Sequence, residues 1–253
     1  MIAEIKNIAR NAGQKMLNAG EKAITTKSGK GNFVTQYDSI IQNFINEELE
    51  NLLPYASFMG EEDGKDIYNM SEYVFVVDPI DGTTNFIRDF RHSCVSIGLL
   101  KNGKPYIGVI YNPYLDEMFY AKLGGGAFLN GRSIHVSSGG LKNSLVSFGT
   151  SPYYPEIKDK TFETAEKIFE FAADIRRCGS AALDICYVAS GRTDLYFEYL
   201  LSPWDFAASS VILTEAGGII KTSGYKDPDY SKKNAILASN PCAYNEFKKL
   251  IDF

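Results

Sequence analysis

The sequence predicts a mixed α/β (α+β) protein, strand-rich behind two helices in its first half and alternating strands with helices in its second. Three observations predict it. Apolar residues recur at helical spacing in two N-terminal stretches. Short β-rich runs separated by turn residues then follow one another from Val74 to Ala121. Beyond Leu145, strand-like runs are interleaved with helical patterns that carry start and stop signals.

Ile2, Ile5, Ile8, Ala9, Ala12 and Met16 form one apolar stripe, so residues 2–18 read as an amphipathic helix with no chemistry of its own. Lys27-Ser-Gly-Lys-Gly-Asn32 is a small basic loop. Thr35-Gln-Tyr-Asp38 is a capping-box pattern before the helical run Ile40, Ile41, Phe44, Ile45 and Leu49. On the residues alone, Asp38 is most simply a helix-start carboxylate. Ser57-Phe-Met-Gly60 is a short apolar segment, and Glu61, Glu62 and Asp63 after it read as a solvated turn.

A β-rich run, Val74 to Val77, leads into Asp78-Pro-Ile-Asp-Gly-Thr-Thr-Asn-Phe86. Pro79 lacks an N–H and is expected to end the strand ladder. The strand then delivers Asp78 and Asp81 at its C-terminal edge, where open α/β sheets place their ligand sites. Gly82 lets backbone approach a bound group, and Thr83 and Thr84 suit a helix start, whose free N–H groups favour an anion. Hard carboxylates beside an anion cradle point to a divalent metal and a phosphate. For Asp-x-x-Asp alone, an Asx-turn with two surface aspartates is the plainer account.

Residues 94–100, 106–111 and 117–121 read as an antiparallel meander, and Asn130-Gly131 as a hairpin turn. A Gly/Ser-rich joint at 137–143 divides the chain into halves, 1–140 and 141–253. In the second half, residues 145–150 read as a strand and 161–173 as a helix. Gly179-Ser-Ala-Ala182 opens a helix stopped by Gly191. A strand over 193–199 precedes Pro203-Trp-Asp-Phe-Ala-Ala208, which opens a helix ended by Gly217-Gly218. Strands over 219–222 and 235–239 and a helix from Pro241 complete the chain. Asp205 sits at a helix start, where dipole compensation alone would account for it, as core packing would for Trp204. Ser151-Pro-Tyr-Tyr-Pro155 is an aromatic loop, read as surface packing or as a determinant of selectivity.

The 253 residues suffice for a substantial core, and 45% apolar with 23% charged residues is the balance of an ordinary globular protein. A net charge of −5 argues against nucleic acid as a partner. Cys94, Cys178, Cys186 and Cys242 form no Cys-x-x-Cys pair, and with only two histidines a zinc site is not expected. Reduced thiols in a cytoplasmic protein are the simpler reading. No apolar run is long enough for a bilayer, and the N-terminus lacks a signal-peptide layout, so no membrane partner is expected.

Gly60-Glu61-Glu62, Asp78-Pro-Ile-Asp-Gly-Thr-Thr-Asn-Phe86 and Trp204-Asp-Phe-Ala-Ala208, in this order and separation, resemble the inositol monophosphatase family of magnesium-dependent, lithium-sensitive sugar phosphatases. Gly179-Ser-Ala181 and Glu198 fit the same pattern, and the likeness covers nearly the whole chain. The resemblance implies a five-layer αβαβα sandwich with an antiparallel N-terminal sheet and a smaller mixed C-terminal sheet, usually as a homodimer. It implies two to three Mg²⁺. Glu61, Asp78 and the Ile80 carbonyl would hold the first, Asp78, Asp81 and Asp205 the second, and Glu61 with waters a weaker third. Asp38 and Thr83 would orient the attacking water, and the Gly82 and Thr83 N–H groups would hold the phosphate. Glu198, Gly179, Ser180 and Ala181, with Asp205, would line the pocket of a phosphorylated polyol or sugar, and Lys27 matches a mobile-loop lysine. Arg91 stands where the family usually has proline.

The activity implied is hydrolysis of inositol monophosphate by in-line attack of a metal-activated water. The same metal core serves fructose-1,6-bisphosphatase, alone or as a dual activity, and histidinol-phosphate hydrolysis is a further reading. A binding module that contacts other proteins, such as transcription machinery, is the reading from another class, though it would not require an intact carboxylate set.

Overall fold

The computed structural model describes residues 1–26, 33–63 and 71–253. The first half of the chain provides α1 (Ile2–Leu17), the short antiparallel pair β1 (Ile24–Thr26) and β2 (Phe33–Thr35), and α2 (Gln36–Leu52). Then come β3 (Ser57–Gly60), β4 (Tyr73–Asp81), α3 (Thr83–Ile87), β5 (Cys94–Lys101), β6 (Lys104–Asn112), β7 (Glu117–Lys122), β8 (Ala127–Leu129) and β9 (Arg132–Ser133). Strands β3 to β9 form a seven-stranded sheet in chain order, antiparallel except for the edge pair β3–β4.

The second half provides β10 (Leu145–Phe148), α4 (Lys158–Phe169), β11 (Asp174–Arg176), α5 (Ala181–Ala189), β12 (Leu195–Leu201), α6 (Pro203–Glu215), β13 (Ile219–Lys221), β14 (Asn234–Ser239) and α7 (Pro241–Leu250). These strands make a five-stranded mixed sheet, ordered β11-β10-β12-β14-β13.

Side-chain alternation along the strands stacks these pieces into five layers. Val95, Ile97 and Leu99 of β5 face the apolar stripes of α1 and α2, with Ile5, Ile8, Ala12, Ile41 and Ile45 in one cluster. On the other face of that sheet, Cys94, Ile110 and Phe119 meet α5 and α6. Tyr196, Ile236 and Ala238 of the second sheet close on α5 and α6 from the opposite side. Leu195, Phe197 and Leu237 point outward to α4 and α7. Helix α6 is buried along most of its length, as a helix between two sheets must be. It lies almost on β6: a Cβ at Gly108 would come 2.0 Å from the Ala208 carbonyl oxygen. That close approach brings the start of α6, with Asp205, up to the first sheet.

The fold corrects three details. Pro79 does not end β4, because the strand runs on to Asp81. Asp78 pairs with Ser96 and Asp81 with Cys94, so three steps on β4 oppose two on β5. This is a bulge at the residue that cannot donate to the ladder. Helix α4 runs over Lys158–Phe169 rather than 161–173, since the Ala173 N–H leaves it for Ser144 O at 2.9 Å, where the chain enters the edge strand β11. Neither β11 nor the β1–β2 pair was expected, being too short for periodicity to register.

Candidate active site

The bulge in β4 is the device on which the site rests. In a regular strand, residues three apart face opposite sides. One inserted residue puts Asp78 and Asp81 on the same side, and both are buried, at 2% and 6% exposure. Asp78 Oδ1 accepts from Ile80 N at 2.9 Å, so the Asx-turn is present, but the two acids are not on the surface. Asp205, third residue of α6, joins them: one carboxylate oxygen from each of Asp78, Asp81 and Asp205 lies within 4.8 Å of the others. The other half of Asp205 closes a capping box, with Oδ2 accepting from Ser202 N at 2.7 Å. Trp204 packs against Met59, Val74 and Val76, which is the core role sequence allowed.

Glu61 opens a 3₁₀ turn at the end of β3. Gln42 of α2 holds that turn, its Oε1 accepting from Glu62 N at 2.9 Å. The turn is therefore tied to the core rather than freely solvated. Burial pushes Asp78 well above the usual carboxylate range, and the charges of Glu61, Asp81 and Asp205 push it further, as does a hydrogen bond with Glu61. Burial and the charges of Asp81 and Glu61 do the same to Asp205. Asp81 is pushed up to about 6 by burial, against donation from Ser180 and Ala182. Carboxylates so placed resist ionising together. An oxygen donor set of this kind, half-buried to buried and mutually repelling, fits a hard divalent cation such as Mg²⁺.

Asp81 is held from the far side of the cleft. Ser180, the N-cap of α5, donates its hydroxyl to Asp81 Oδ2, and Ala182 N donates to the same oxygen at 2.8 Å. The hydroxyl of Ser180, expected to face substrate, is thus committed to Asp81 in a residue that is 1% exposed. Ala181 is also buried. Gly179 comes close to the motif loop: a Cβ at Gly82 would lie 3.0 Å from His92 O and 3.1 Å from Gly179 O. Gly82 also caps α3 at φ 88, a conformation that other residues adopt only with strain.

Asp38 uses both carboxylate oxygens. Its Oδ2 accepts from Thr35 N and Thr35 Oγ1, both at 2.7 Å, which closes the expected capping box. Its Oδ1 lies 3.3 Å from Thr83 Oγ1, which also lies 3.2 Å from the Ile80 carbonyl oxygen. Glu198 is buried and accepts from Ser151 N at 2.7 Å, Ser151 Oγ at 2.8 Å and the Tyr196 hydroxyl. Gly149 makes room for it, since a Cβ there would stand 1.8 Å from Glu198 Oε2. Burial raises the Glu198 carboxyl, and those donors oppose the rise.

Sequence reasoning missed Ser151 and Tyr196, which fix Glu198. Burial, first, and then the charges of Glu61, Asp205, Glu198 and Asp78 raise the Tyr153 phenol, although the residue keeps 41% of its surface exposed. Ser151 ties the start of the 151–155 loop to Glu198, while Pro152, Tyr153 and Pro155 stay exposed, so the loop is anchored at its root and lies on the surface beyond it. Arg91 sits at φ 61, which proline cannot adopt, so the loop after α3 departs from a proline-bearing one. Lys27 lies outside the described residues.

Comparison with known proteins bears on this arrangement. The family model described as "Inositol monophosphatase family" matches residues 1–252. The chain is 40% identical over 246 residues to an inositol monophosphatase of Dictyostelium discoideum, covering 94% of this chain and 88% of that one. It is 37% identical over 237 residues to the Nus factor SuhB of Vibrio cholerae, covering 92% and 88%. The crystal structure of the extragenic suppressor protein suhB from Bartonella henselae superposes with a TM-score of 0.91 at 33% identity, covering 98% of this chain and 96% of that one. Full-length agreement in sequence and fold, around a site where Asp78, Asp81 and Asp205 converge, places the chain in the inositol monophosphatase family, a family of phosphatases.

Proposed function

We propose that this protein is a Mg²⁺-dependent phosphoric monoester hydrolase whose substrate is an inositol monophosphate. The observation that carries the proposal is the convergence of buried Asp78 and Asp81 with half-buried Asp205. Glu61, Asp78, Asp81, Asp205 and the Ile80 carbonyl would hold two to three Mg²⁺. When bound, the ions neutralise phosphate charge and lower the pKa of the attacking water. The chain's own residues do the rest. Thr83, with Asp38 behind it, orients the water and passes on its proton, the Thr83 hydroxyl lying within reach of Asp38 Oδ1. The Gly82 and Thr83 N–H groups, at the start of α3, steady the phosphate oxygens for in-line displacement.

Glu198 orients the sugar by accepting a polyol hydroxyl. A carboxylate accepts about four hydrogen bonds, so the three given by Ser151 and Tyr196 leave it capacity. Gly179, Ser180 and Ala181 shape the same wall, with Ser180 acting through Asp81. Halves 1–140 and 141–253 work as one catalytic unit in this reading, since Asp205 of the second completes a site begun in the first. Lithium sensitivity, a homodimer and a cytoplasmic location belong to the same proposal and rest on the family likeness. Among the described residues no helix is long and apolar enough to cross a membrane.

A phosphate-release screen tests the substrate: inositol 1-phosphate, fructose 1,6-bisphosphate, histidinol phosphate and adenosine 3′,5′-bisphosphate, each with Mg²⁺. The expected result is the highest kcat/KM on inositol 1-phosphate. Preference for the bisphosphates would keep the metal core and replace the substrate. The name of the Vibrio cholerae relative, a Nus factor, raises a second, non-catalytic role. The buried acids argue that such a role would be added to catalysis rather than replace it.

A further inference from the structure

The fold assembles a second group that the phosphatase reading does not use. His92 lies between α3 and β5, Cys178 lies just ahead of α5, and Asp184 is in the first turn of α5. One ring nitrogen, the thiol sulfur and one carboxylate oxygen of these three residues all lie within 4.8 Å of one another. Asp184 is 2% exposed, and its Oδ1 has no hydrogen-bond partner. His92 Nε2 has none either, and the two atoms face each other at 3.7 Å, an ion-pair distance when the imidazole is protonated but too long for a hydrogen bond. Buried polar atoms are ordinarily hydrogen-bonded, and a cation held by both this carboxylate oxygen and this imidazole nitrogen would satisfy the two atoms that an ion pair alone leaves without a hydrogen bond.

The three segments are held in place without that partner. Asn85 Nδ2 donates to His92 O at 2.7 Å and to Cys178 O at 2.9 Å, clamping the backbones of two of the residues together. The Tyr187 ring stands edge-on to the His92 ring at 5.5 Å, and the Asp184 N–H is bonded into the first turn of α5 through Ser180 O at 3.0 Å. Such support is what a preorganised ligand set requires. The donors are nitrogen, sulfur and oxygen, which suits a borderline cation of the zinc class and not hard Mg²⁺. Imidazole binds neutral, the carboxylate as the anion, and the thiol releases its proton to solvent as the sulfur–metal bond forms, so the charges of two anionic ligands balance a divalent ion.

We propose that His92, Cys178 and Asp184 form a binding site for a divalent metal ion of the zinc class, separate from the Asp78–Asp81–Asp205 cluster. The spacing of cysteines along the chain speaks against zinc, and the fold overrides it by gathering residues 92, 178 and 184. A bound ion would clip the start of α5 to the entry of β5. It would brace the turn from which Ser180 and Ala182 hold Asp81.

The test uses Co²⁺ as the probe, added to chelator-treated full-length protein in excess Mg²⁺, which occupies the oxygen-rich cluster. The proposal expects one equivalent of Co²⁺ with the visible bands of a four-coordinate ion and a sulfur-to-cobalt charge-transfer band, all displaced by Zn²⁺. Cys178→Ser removes the charge-transfer band. Asp184→Asn weakens binding by more than the roughly 10- to 100-fold that outer-shell partners contribute. Cys94→Ser leaves the spectrum unchanged, which separates the site from the thiol 3.7 Å from Asp81 Oδ2. Absence of the band, its survival in Cys178→Ser, or its loss in Cys94→Ser would overturn the proposal. In the unmodified protein, Zn²⁺ should slow alkylation of Cys178; alkylation at the same rate with and without Zn²⁺ would also overturn it.

Discussion

Removing the metal should make the protein less stable as pH rises through the acid range, and Asp81 allows the size of the effect to be worked out. Its carboxyl moves from 3.8 to about 6 on folding, with burial the largest cause. Below the unfolded value both states hold the proton, and Asp81 carries no penalty. Between roughly pH 4 and 6 the unfolded chain ionises freely while the folded site resists, so the folded state binds more protons and stability falls with pH. About two units correspond to ~3 kcal/mol, fully lost above pH 6. Asp78 and Asp205 are shifted in the same direction and add to the loss. For a chain of this size that is a fall in Tm of roughly 6–12 °C. Other groups titrate in the same range, so the assay is a difference: melting curves in EDTA for wild type and Asp81→Asn, from pH 4 to 7.5. Asn keeps an acceptor for Ser180 and Ala182 and carries no charge. The variant should gain on wild type across pH 4–6 and stay ahead above it. Saturating Mg²⁺ should restore the wild type, because bound cation relieves the repulsion. A variant-to-wild-type difference that does not change with pH in EDTA would refute the electrostatic account of the site.

Further outcomes concern catalysis and packing. Asp38→Asn should lower kcat by about 10²- to 10⁴-fold with little change in KM and little change in Tm, since the Asn oxygen can still accept from Thr35 and close the capping box; unchanged turnover would return Asp38 to its capping box alone. Thr83→Ala should cost a similar factor, and the double variant should be no worse than the poorer single one, as for two groups acting as a unit. Ser180→Ala should raise the Mg²⁺ concentration needed for half-maximal activity by roughly 10- to 100-fold, because it loosens Asp81; an unchanged Mg²⁺ requirement would sink that role. Gly108→Ala should lower stability by about 3 kcal/mol or more and cut activity by displacing α6, since its Cβ would stand 2.0 Å from the Ala208 oxygen; a wild-type melting curve would contradict the packing argument.

Much of the fold was legible because the relevant signals are local. The capping box at Thr35, Pro203 in the first turn of α6, the Asn130-Gly131 turn and the stripe of α1 each express a preference that the folded chain keeps. The motif at Asp78 was legible as a pair of acids with a glycine and a helix start. Its geometry was not, because a bulge depends on what β5 does opposite Pro79. The same limit hid Ser180 as the anchor of Asp81 and Ser151 as the anchor of Glu198. These pairs are separated by 99 and 47 residues, and neither donor carries a spacing that marks it. The grouping of His92, Cys178 and Asp184 was hidden for that reason too.

The central claim is that Asp78 and Asp81 from one half of the chain and Asp205 from the other hold the Mg²⁺ that drives phosphate release. The most direct measurement is phosphate release from inositol 1-phosphate as a function of Mg²⁺, for wild type and Asp205→Asn. The account predicts no turnover in EDTA, a saturable recovery with Mg²⁺ in wild type, and loss of most activity in the folded variant at every Mg²⁺ concentration. Full turnover in EDTA, or a variant that follows the wild-type curve, would contradict it.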